Sequence, residues 1–290
     1  MRAFEDINPI AITIYYLMVI GIVMLFANPI IFLISLLGAL CFYLTRNGMR
    51  NGQTHLYSFI MFLVMTLVNP LVSHNGVTVL FVMNNNPVTF EAIVYGFCAS
   101  IMIVGVLYWC YSFSQIMTSD KLLYIFGALS PKLALMISMA LRYVPLFNTQ
   151  SKKVNQAQKA LGLYKEDNIV DSFKGGIRVF SIMATWALEN GIITADSMAY
   201  RGYGRGRRTH FSEYRFKVSD VMFLIVCVLL CAITILGIRS AEFGCYPAIV
   251  IPKVLLENVI GYISYGLLIF LPTINEVKEA LKWKYLKSKI

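Results

Sequence analysis

Residues 221–238 read VMFLIVCVLLCAITILGI, an apolar run without a single charged side chain. A helix of about 20 such residues crosses a hydrocarbon core about 30 Å thick, so this run predicts a membrane-spanning helix. Five further apolar runs have a similar character, at residues 10–27, 30–44, 56–69, 90–117 and 254–271. We therefore expect an all-α polytopic membrane protein with about six transmembrane helices. The first two are expected to form a hairpin, because Pro29 cannot continue a helix that reaches it.

The composition of the 290-residue chain agrees with a membrane environment, because 58% of its residues are hydrophobic and only 14% are charged. Soluble globular domains carry about 25% charged residues, so an ordinary soluble globule is excluded. The net charge of +10 is compatible with nucleic acid, anionic lipid or an acidic protein as a partner. The position of the charge along the chain separates these classes.

The basic residues are concentrated on one side of the predicted topology. With six spans, the outer segments, residues 70–89 and 239–253, contain only Arg239 and Lys253 among the 25 Lys and Arg residues. Cytoplasmic loops carry the Lys and Arg excess, so both termini are predicted to be cytoplasmic. The lysine-rich end of the chain is expected to lie at the anionic leaflet of the bilayer. Basic residues that flank spans also argue against nucleic-acid binding.

The apolar runs divide the chain into four predicted segments. These are N-terminal membrane helices 1–120, a cytoplasmic helical domain 121–217, C-terminal membrane helices 218–275 and a basic cytoplasmic tail 276–290. The central segment carries 15 basic and six acidic residues, which is most of the excess positive charge. A structureless loop of this length is uncommon. Its patterns predict an apolar helix over 132–147, a polar helix over 151–162 and an amphipathic helix over 177–193.

The predicted outer segment 71–89 is apolar and β-branched at residues 76–83, yet it is too short to span a membrane. It predicts either a strand-like, re-entrant piece packed on protein or an ordered outer loop, because lipid does not tolerate exposed irregular backbone. Glu91 follows it and is expected to be a solvated carboxylate at a helix start rather than part of a proton relay.

The sequence predicts no catalytic residue and no metal site. Cys227 and Cys231 lie four residues apart, but no acidic residue or histidine lies near enough to complete a coordination shell. Together with Cys41, Cys98 and Cys110 they are expected to pack as buried hydrophobic side chains. The chain contains no Gly-x-x-x-x-Gly-Lys-Ser/Thr loop, so we expect no cofactor in this chain and no ATP site of its own.

Two other function classes have weaker signals. An intramembrane enzyme needs a nucleophile with a base, or a set of metal ligands, but the histidines His55, His74 and His210 are scattered. A self-sufficient secondary transporter is expected to have internal repeats and broken helices at the membrane midplane, and neither is evident. These two classes remain the alternatives to the interpretation given below.

Two helix ends in the central segment contain small residues: QAQKALG at 156–162 and SMAYRGYG at 197–204. Ala and Gly at a helix end let the backbone of another protein approach closely, and Arg201 offers up to five donors to carboxylates or carbonyls. The alternative is an ordinary helix cap followed by a basic loop. Arg142 interrupts an apolar helix and is expected to brace the domain by pairing with Glu189 or Asp196, the alternative being a snorkelling arginine.

The order LRYVP at 141–145, then QAQKALG, then SMAYRGYG and RRT at 207–209 resembles the transmembrane coupling (T) component of energy-coupling factor (ECF) ABC transporters, the CbiQ/EcfT family. In that family two cytoplasmic coupling helices end in Ala-Arg-Gly-like signatures, each docking on one of two ABC-type ATPase subunits. The membrane helices hold a separate substrate-binding membrane protein, the S component.

The resemblance implies a non-catalytic subunit of a bacterial cell membrane that transmits ATP-driven motion to the S component. ATP would be bound by the partner subunits, and the cargo would be a vitamin or a transition-metal ion. The resemblance maps the second signature onto Tyr200, Arg201 and Gly202, with Tyr200 in place of the usual alanine. It maps the first onto 160–162, where Ala160 and Gly162 flank a leucine, Leu161, in place of the expected arginine. We therefore expect unequal docking contacts, charged at one helix end and apolar at the other.

Overall fold

A computed structural model describes most of the chain, namely residues 3–48, 52–73, 76–83, 86–162, 169–206, 214, 216–239, 243–244 and 256–287. These residues form nine α-helices, a 3₁₀ helix at Ala3–Asp6 and one two-stranded sheet. The helices are α1 Pro9–Leu25, α2 Pro29–Asn47, α3 Gly52–Val72, α4 Phe90–Ile116, α5 Ser119–Leu129, α6 Pro131–Ala160, α7 Ile169–Tyr200, α8 Val218–Ile238 and α9 Leu256–Lys287. The strands are β1 Val79–Met83 and β2 Asn86–Thr89. The predicted all-α class is confirmed.

Within the described residues, five helices are long and apolar enough to cross a membrane: α2, α3, α4, α8 and α9. The first apolar run forms α1, which has 17 residues and so lies at the lower limit for a span. All six predicted runs are therefore helical, although residues 254 and 255 at the start of the sixth lie outside the described residues. The protein is a multi-pass membrane protein.

Both α1 and α2 begin at an Asn-Pro pair, and the second pair makes the break between them. Asn8 and Asn28 each accept a hydrogen bond on the side-chain oxygen from the backbone N–H two residues later, at 3.0 and 3.1 Å. The proline that follows each asparagine occupies the first helical turn, where its missing N–H has no intrahelical partner to lose. Asn28 also donates to the hydroxyl of Tyr262 at 2.8 Å, which ties this turn to α9.

The chain divides into two compact units. Unit 1 comprises Met1–Lys121 and Tyr214–Ile290, and unit 2 comprises Leu122–Glu213. In unit 1, α4 packs against α2 and α3, and α9 packs against α2 and α8. The core of unit 1 is aromatic: the rings of Phe42 and Trp109 stack at 6.2 Å, and the indole N–H of Trp109 donates to Ser35 Oγ at 3.1 Å.

The helices α8 and α9 approach each other through two glycines. A Cβ added to Gly237 would lie 2.7 Å from the carbonyl oxygen of Glu257, and one added to Gly261 would lie 3.1 Å from the carbonyl carbon of Gly237. Small residues at such crossings let two membrane helices pack backbone to backbone. The hydroxyls of Thr234 and Ser264 meet at 2.9 Å in the same interface, so a polar contact accompanies the close packing.

The segment between α3 and α4 is strand-like, one of the two structures that its sequence allowed. β1 and β2 pair antiparallel, and the Glu91 side chain closes the hairpin by accepting from Thr78 Oγ1 at 2.8 Å and Thr78 N at 3.3 Å. Glu91 is only 4% exposed, so the expected solvated carboxylate is wrong. A Cβ on Gly76 would lie 2.7 Å from both Glu91 Oε2 and Thr89 Oγ1, so the carboxylate fits because residue 76 is glycine.

Unit 2 contains α6 and α7, two helices of 30 and 32 residues that pack against each other. The predicted break between the helices over 132–147 and 151–162 is wrong, because α6 is continuous through Pro145. Proline removes one backbone hydrogen bond from a helix interior, but a long helix that is packed on a neighbour retains the bonds on either side. α7 extends beyond both predicted ends, and α5 was not predicted as a separate helix.

The cysteines differ from the expectation of uniform burial. Cys227 is buried and Cys98 and Cys231 are half-buried, but Cys41 and Cys110 are exposed on the surfaces of α2 and α4. An apolar run predicts a helix that crosses the membrane, and it does not say which face of that helix meets protein. In a membrane protein, exposed positions on spans are surfaces for lipid or for other membrane helices.

Candidate functional site

The end of α7 forms a Schellman motif around Gly202. Gly202 has a left-handed backbone with φ of 78°, and its N–H donates to the carbonyl of Ala199 at 3.0 Å. The N–H of Tyr203 donates to the carbonyl of Met198, also at 3.0 Å. This pair of bonds defines the motif, with Arg201 as the last residue before the glycine. Gly202, which marked this helix end in the sequence, is therefore required by the left-handed backbone of the turn.

The end of α6 shares the left-handed glycine and one of the two bonds of this motif. Gly162 has φ of 66°, and its N–H donates to the carbonyl of Lys159 at 3.0 Å. Leu161 precedes the glycine and donates its own N–H to Ala157 at 3.0 Å, as Arg201 donates to Ser197 at 3.2 Å. The two helix ends therefore place a leucine and an arginine at equivalent positions of similar turns.

The side chains around both turns point away from the rest of the described residues. Leu161 is 73% exposed and Tyr200 is 91% exposed, and Ala160 and Arg201 are exposed as well. A Cβ at Gly162 or at Gly202 would meet no atom within 4 Å. Among the described residues, the glycines are thus required for the turn and not for packing, and no described atom fills the space beside them.

Arg142 makes no ion pair with Glu189 or Asp196 in the part of the chain that the structure describes, and all three residues are exposed. The neighbouring Tyr143 makes the polar connection instead, with its hydroxyl 2.9 Å from Thr194 Oγ1. The bracing role of Arg142 stays a prediction, whereas no sequence pattern indicated the contact made by Tyr143.

An aromatic contact joins the same two helices, one turn after Tyr143 on α6 and about two turns before Thr194 on α7. The rings of Phe147 and Trp186 meet edge to face at 5.4 Å, and the ring of Tyr143 lies 6.4 Å from that of Phe147. Edge-to-face pairs add about 0.5–1.5 kcal/mol to the burial of their surface. These residues hold α6 on α7, so the two candidate docking ends belong to helices that are directly packed together.

The described residues of α7 also carry large exposed apolar side chains, among them Phe173, Phe180 and Leu188, each at least 70% exposed. Exposed apolar surface on this scale marks contact with a partner or with lipid. Within the described part of the chain, no group of three or more His, Cys, Asp and Glu side chains is placed so that it could hold a metal ion. The candidate site therefore consists of two helix ends, their exposed side chains and an apolar helix face.

Comparison with known proteins identifies the family. The family model described as "CbiQ: Cobalt transport protein" matches residues 4–211, which include both helix ends. The chain belongs to the CbiQ family. Arg207, Arg208 and Thr209, which are part of the resemblance in sequence, fall inside the match but outside the described residues.

Curated relatives of this CbiQ-family chain share part of its length. It is 32% identical over 102 residues to the energy-coupling factor transporter transmembrane protein EcfT 1 of Listeria monocytogenes serotype 1/2a (strain 08-5578), covering 34% of this chain and 38% of the relative. It is 28% identical over 101 residues to EcfT of Streptococcus equi subsp. equi (strain 4047), with the same two shares. The chain thus matches less than two fifths of the length of these relatives.

Proposed function

We propose that this chain is the non-catalytic transmembrane energy-coupling subunit of an ECF-type ABC transporter. Two ABC-type ATPase subunits bind ATP and dock on the ends of α6 and α7, and a substrate-binding membrane subunit receives the resulting motion. The cargo is a vitamin or a transition-metal ion, and the chain lies in a bacterial cell membrane with both termini in the cytoplasm. The observation that carries the proposal is the matched pair of exposed C-terminal turns at Leu161 and Arg201 on two packed helices.

The geometry of unit 2 suits the transmission of a displacement. A 30-residue helix is about 45 Å long, and a displacement of one end is transmitted along its axis. The contacts of Tyr143 with Thr194 and of Phe147 with Trp186 join α6 to α7, so the two helices are expected to move together. Side-chain contacts between two helices couple a shift of one helix to a shift of the other.

The two docking contacts differ in chemistry. At the α7 end, the Arg201 guanidinium offers charge-assisted hydrogen bonds to a carboxylate or to carbonyls of the ATPase. At the α6 end, Leu161 enters an apolar pocket, where complete burial of a leucine is worth about 1.5–3 kcal/mol. Truncation of one partner of a buried charge pair costs about 2–5 kcal/mol. The α7 contact is therefore the stronger of the two.

Affinity purification of the tagged chain from detergent tests the proposal. We expect two ATPase chains and a small hydrophobic membrane protein to purify with it in fixed proportion. A chain that purifies alone and hydrolyses a peptide or a lipid would overturn the proposal in favour of an intramembrane enzyme. A chain that moves solute alone after reconstitution into liposomes would overturn it in favour of a secondary transporter.

A further inference from the structure

A buried cluster of charged side chains lies at the end of α2 in unit 1. The guanidinium of Arg46 donates to the Glu5 carboxylate through Nη2, and its Nη1 lies 3.6 Å from Glu276 Oε1. The Arg46 side chain is 1% exposed, compared with 10% for Glu276 and 33% for Glu5. Three segments that are far apart in sequence, the N-terminal 3₁₀ helix, α2 and α9, therefore meet at one guanidinium.

A second cation joins the same cluster from the start of α5. Lys121 Nζ donates to the backbone oxygen of Glu5 at 2.7 Å, and Lys121 is 6% exposed. Burial lowers the pKa of the Lys121 ammonium, and the Glu5 carboxylate partly opposes this shift. Arg46 Nη2 also lies 3.5 Å from the backbone oxygen of Gln115 in the last turn of α4. The segment 115–121, which contains the break between α4 and α5, is thus held at both ends.

The energetics of such a cluster favour a role in positioning. Each buried ion loses several kcal/mol of hydration, and well-packed apolar residues often replace a buried ion pair without loss of stability. The Arg46 guanidinium, however, hydrogen-bonds one carboxylate and attracts a second one beside it, which restrains where both carboxylates lie in a way that an apolar contact does not. A cluster of this kind therefore contributes more to one fixed arrangement of its segments than to the free energy of unfolding.

The cluster lies where the chain leaves unit 1, because Lys121 is the last residue of unit 1 before the chain continues into unit 2 at Leu122. We propose that Lys121 and Arg46 are positioning residues that make the segment 115–121 a rigid connection. A displacement of unit 2 is then passed to α2 and α9 instead of being absorbed at the α4–α5 break. This inference rests on the proposed coupling function and adds the residues through which the motion enters the membrane helices.

Hydrogen exchange of the purified complex with its ATPase subunits tests the inference. Exchange is compared between the ADP-bound complex and the complex trapped with ATP and vanadate, in peptides from α2 and α9. In the wild-type protein we expect a nucleotide-dependent difference in both helices. In Lys121→Met we expect this difference to shrink at least about five-fold, because a typical coupling free energy changes an equilibrium by about 5- to 150-fold. The amount of co-purified ATPase should not change.

Three further variants separate positioning from stability. Lys132→Met removes an exposed lysine at the start of α6 and should leave the nucleotide-dependent difference as in the wild type. Lys121→Arg keeps a long cation at the same place and should restore at least half of it. Arg46→Lys keeps the charge but loses the planar guanidinium that lies between Glu5 and Glu276, and it should reduce the difference as Lys121→Met does.

Each remaining outcome counts against a particular claim. If no ATPase purifies with the wild-type chain, the proposed function itself has failed. If the ATPases bind and Lys121→Met gives the wild-type exchange difference, the positioning role is wrong while the proposed function stands. If both Lys121→Met and Arg46→Lys fail to fold, the cluster serves stability and the positioning role is also wrong.

Discussion

Leu161 and Arg201 are equivalent residues of two similar turns, each followed by a glycine with a left-handed backbone. The equivalence makes the two helix ends a natural comparison, because a left-handed glycine follows the compared residue at both ends while its side chain is a leucine at one and an arginine at the other. Differences between their variants can then be attributed to charge and shape at one position.

The docking strengths should differ between the two ends. Arg201→Ala is expected to weaken ATPase assembly about 30-fold or more, the loss expected for truncating a buried charged contact worth at least about 2 kcal/mol. Leu161→Arg should weaken assembly far less. Titration of the purified membrane subunit with its ATPases, followed by size exclusion, measures both. Leu129→Ala, which alters another highly exposed leucine, is the control, and equal losses from Arg201→Ala and Leu161→Arg would disprove the asymmetry.

The left-handed turn after α7 should depend on Gly202. In Gly202→Ala the new Cβ meets no atom within 4 Å, so the cost comes from the backbone alone. A left-handed conformation costs a non-glycine residue about 1–2 kcal/mol. We expect weaker ATPase docking of a similar magnitude, because the turn that presents Arg201 is less populated. Gly206→Ala, also in open space and without a left-handed φ, should dock normally, and an equal effect of both variants would contradict this explanation.

The packing of α6 on α7 should depend on Tyr143 and not on Arg142. Tyr143→Phe removes the hydroxyl that meets Thr194, a loss of about 0.5–1.5 kcal/mol. Thr194→Val removes the other partner, and the double variant should cost less than the sum of the two single changes. Arg142→Gln should have a smaller effect on thermal unfolding in detergent. A larger effect of Arg142→Gln, suppressed in the background of Glu189→Gln or Asp196→Asn, would restore the predicted bracing.

The crossing of α8 and α9 should not tolerate larger residues. Gly237→Ala places a Cβ 2.7 Å from a backbone oxygen, and overpacking of this type costs about 1–3 kcal/mol. We expect a lower unfolding temperature in detergent. Gly266→Ala lies in α9 and meets nothing within 4 Å, so its unfolding temperature should match that of the wild type. A shift of equal size in both variants would mean that the close approach is not the cause.

The sequence predicted those features that depend on local patterns. Apolar runs located six helices, and glycine-terminated motifs located the ends of α6 and α7. The helix break that was predicted after Pro145 is wrong, because the effect of one missing hydrogen bond depends on how the rest of the helix is packed. Glu91 was expected in water, but Thr78 reaches it across a hairpin whose pairing no local pattern defines.

The ion cluster of unit 1 lay beyond sequence reasoning for a related reason. Glu5 is 41 residues from Arg46, and Glu276 lies on the last helix of the chain. Their pairing depends on how the helices are arranged in space. A single sequence shows which residues are charged but does not show which of them form pairs. From sequence alone, Arg46 is only one of the many basic residues that lie outside the two predicted outer segments.

The contact between Phe147 and Trp186 also provides an optical reporter. The chain has three tryptophans, and Trp109 and Trp283 lie in unit 1 while Trp186 is the single tryptophan of unit 2. Replacement of Trp109 and Trp283 by phenylalanine would leave Trp186, at the α6–α7 interface, as the single tryptophan of the chain. The arrival of ATPase subunits at the two helix ends could then be followed in real time as a change in that emission, without an added label.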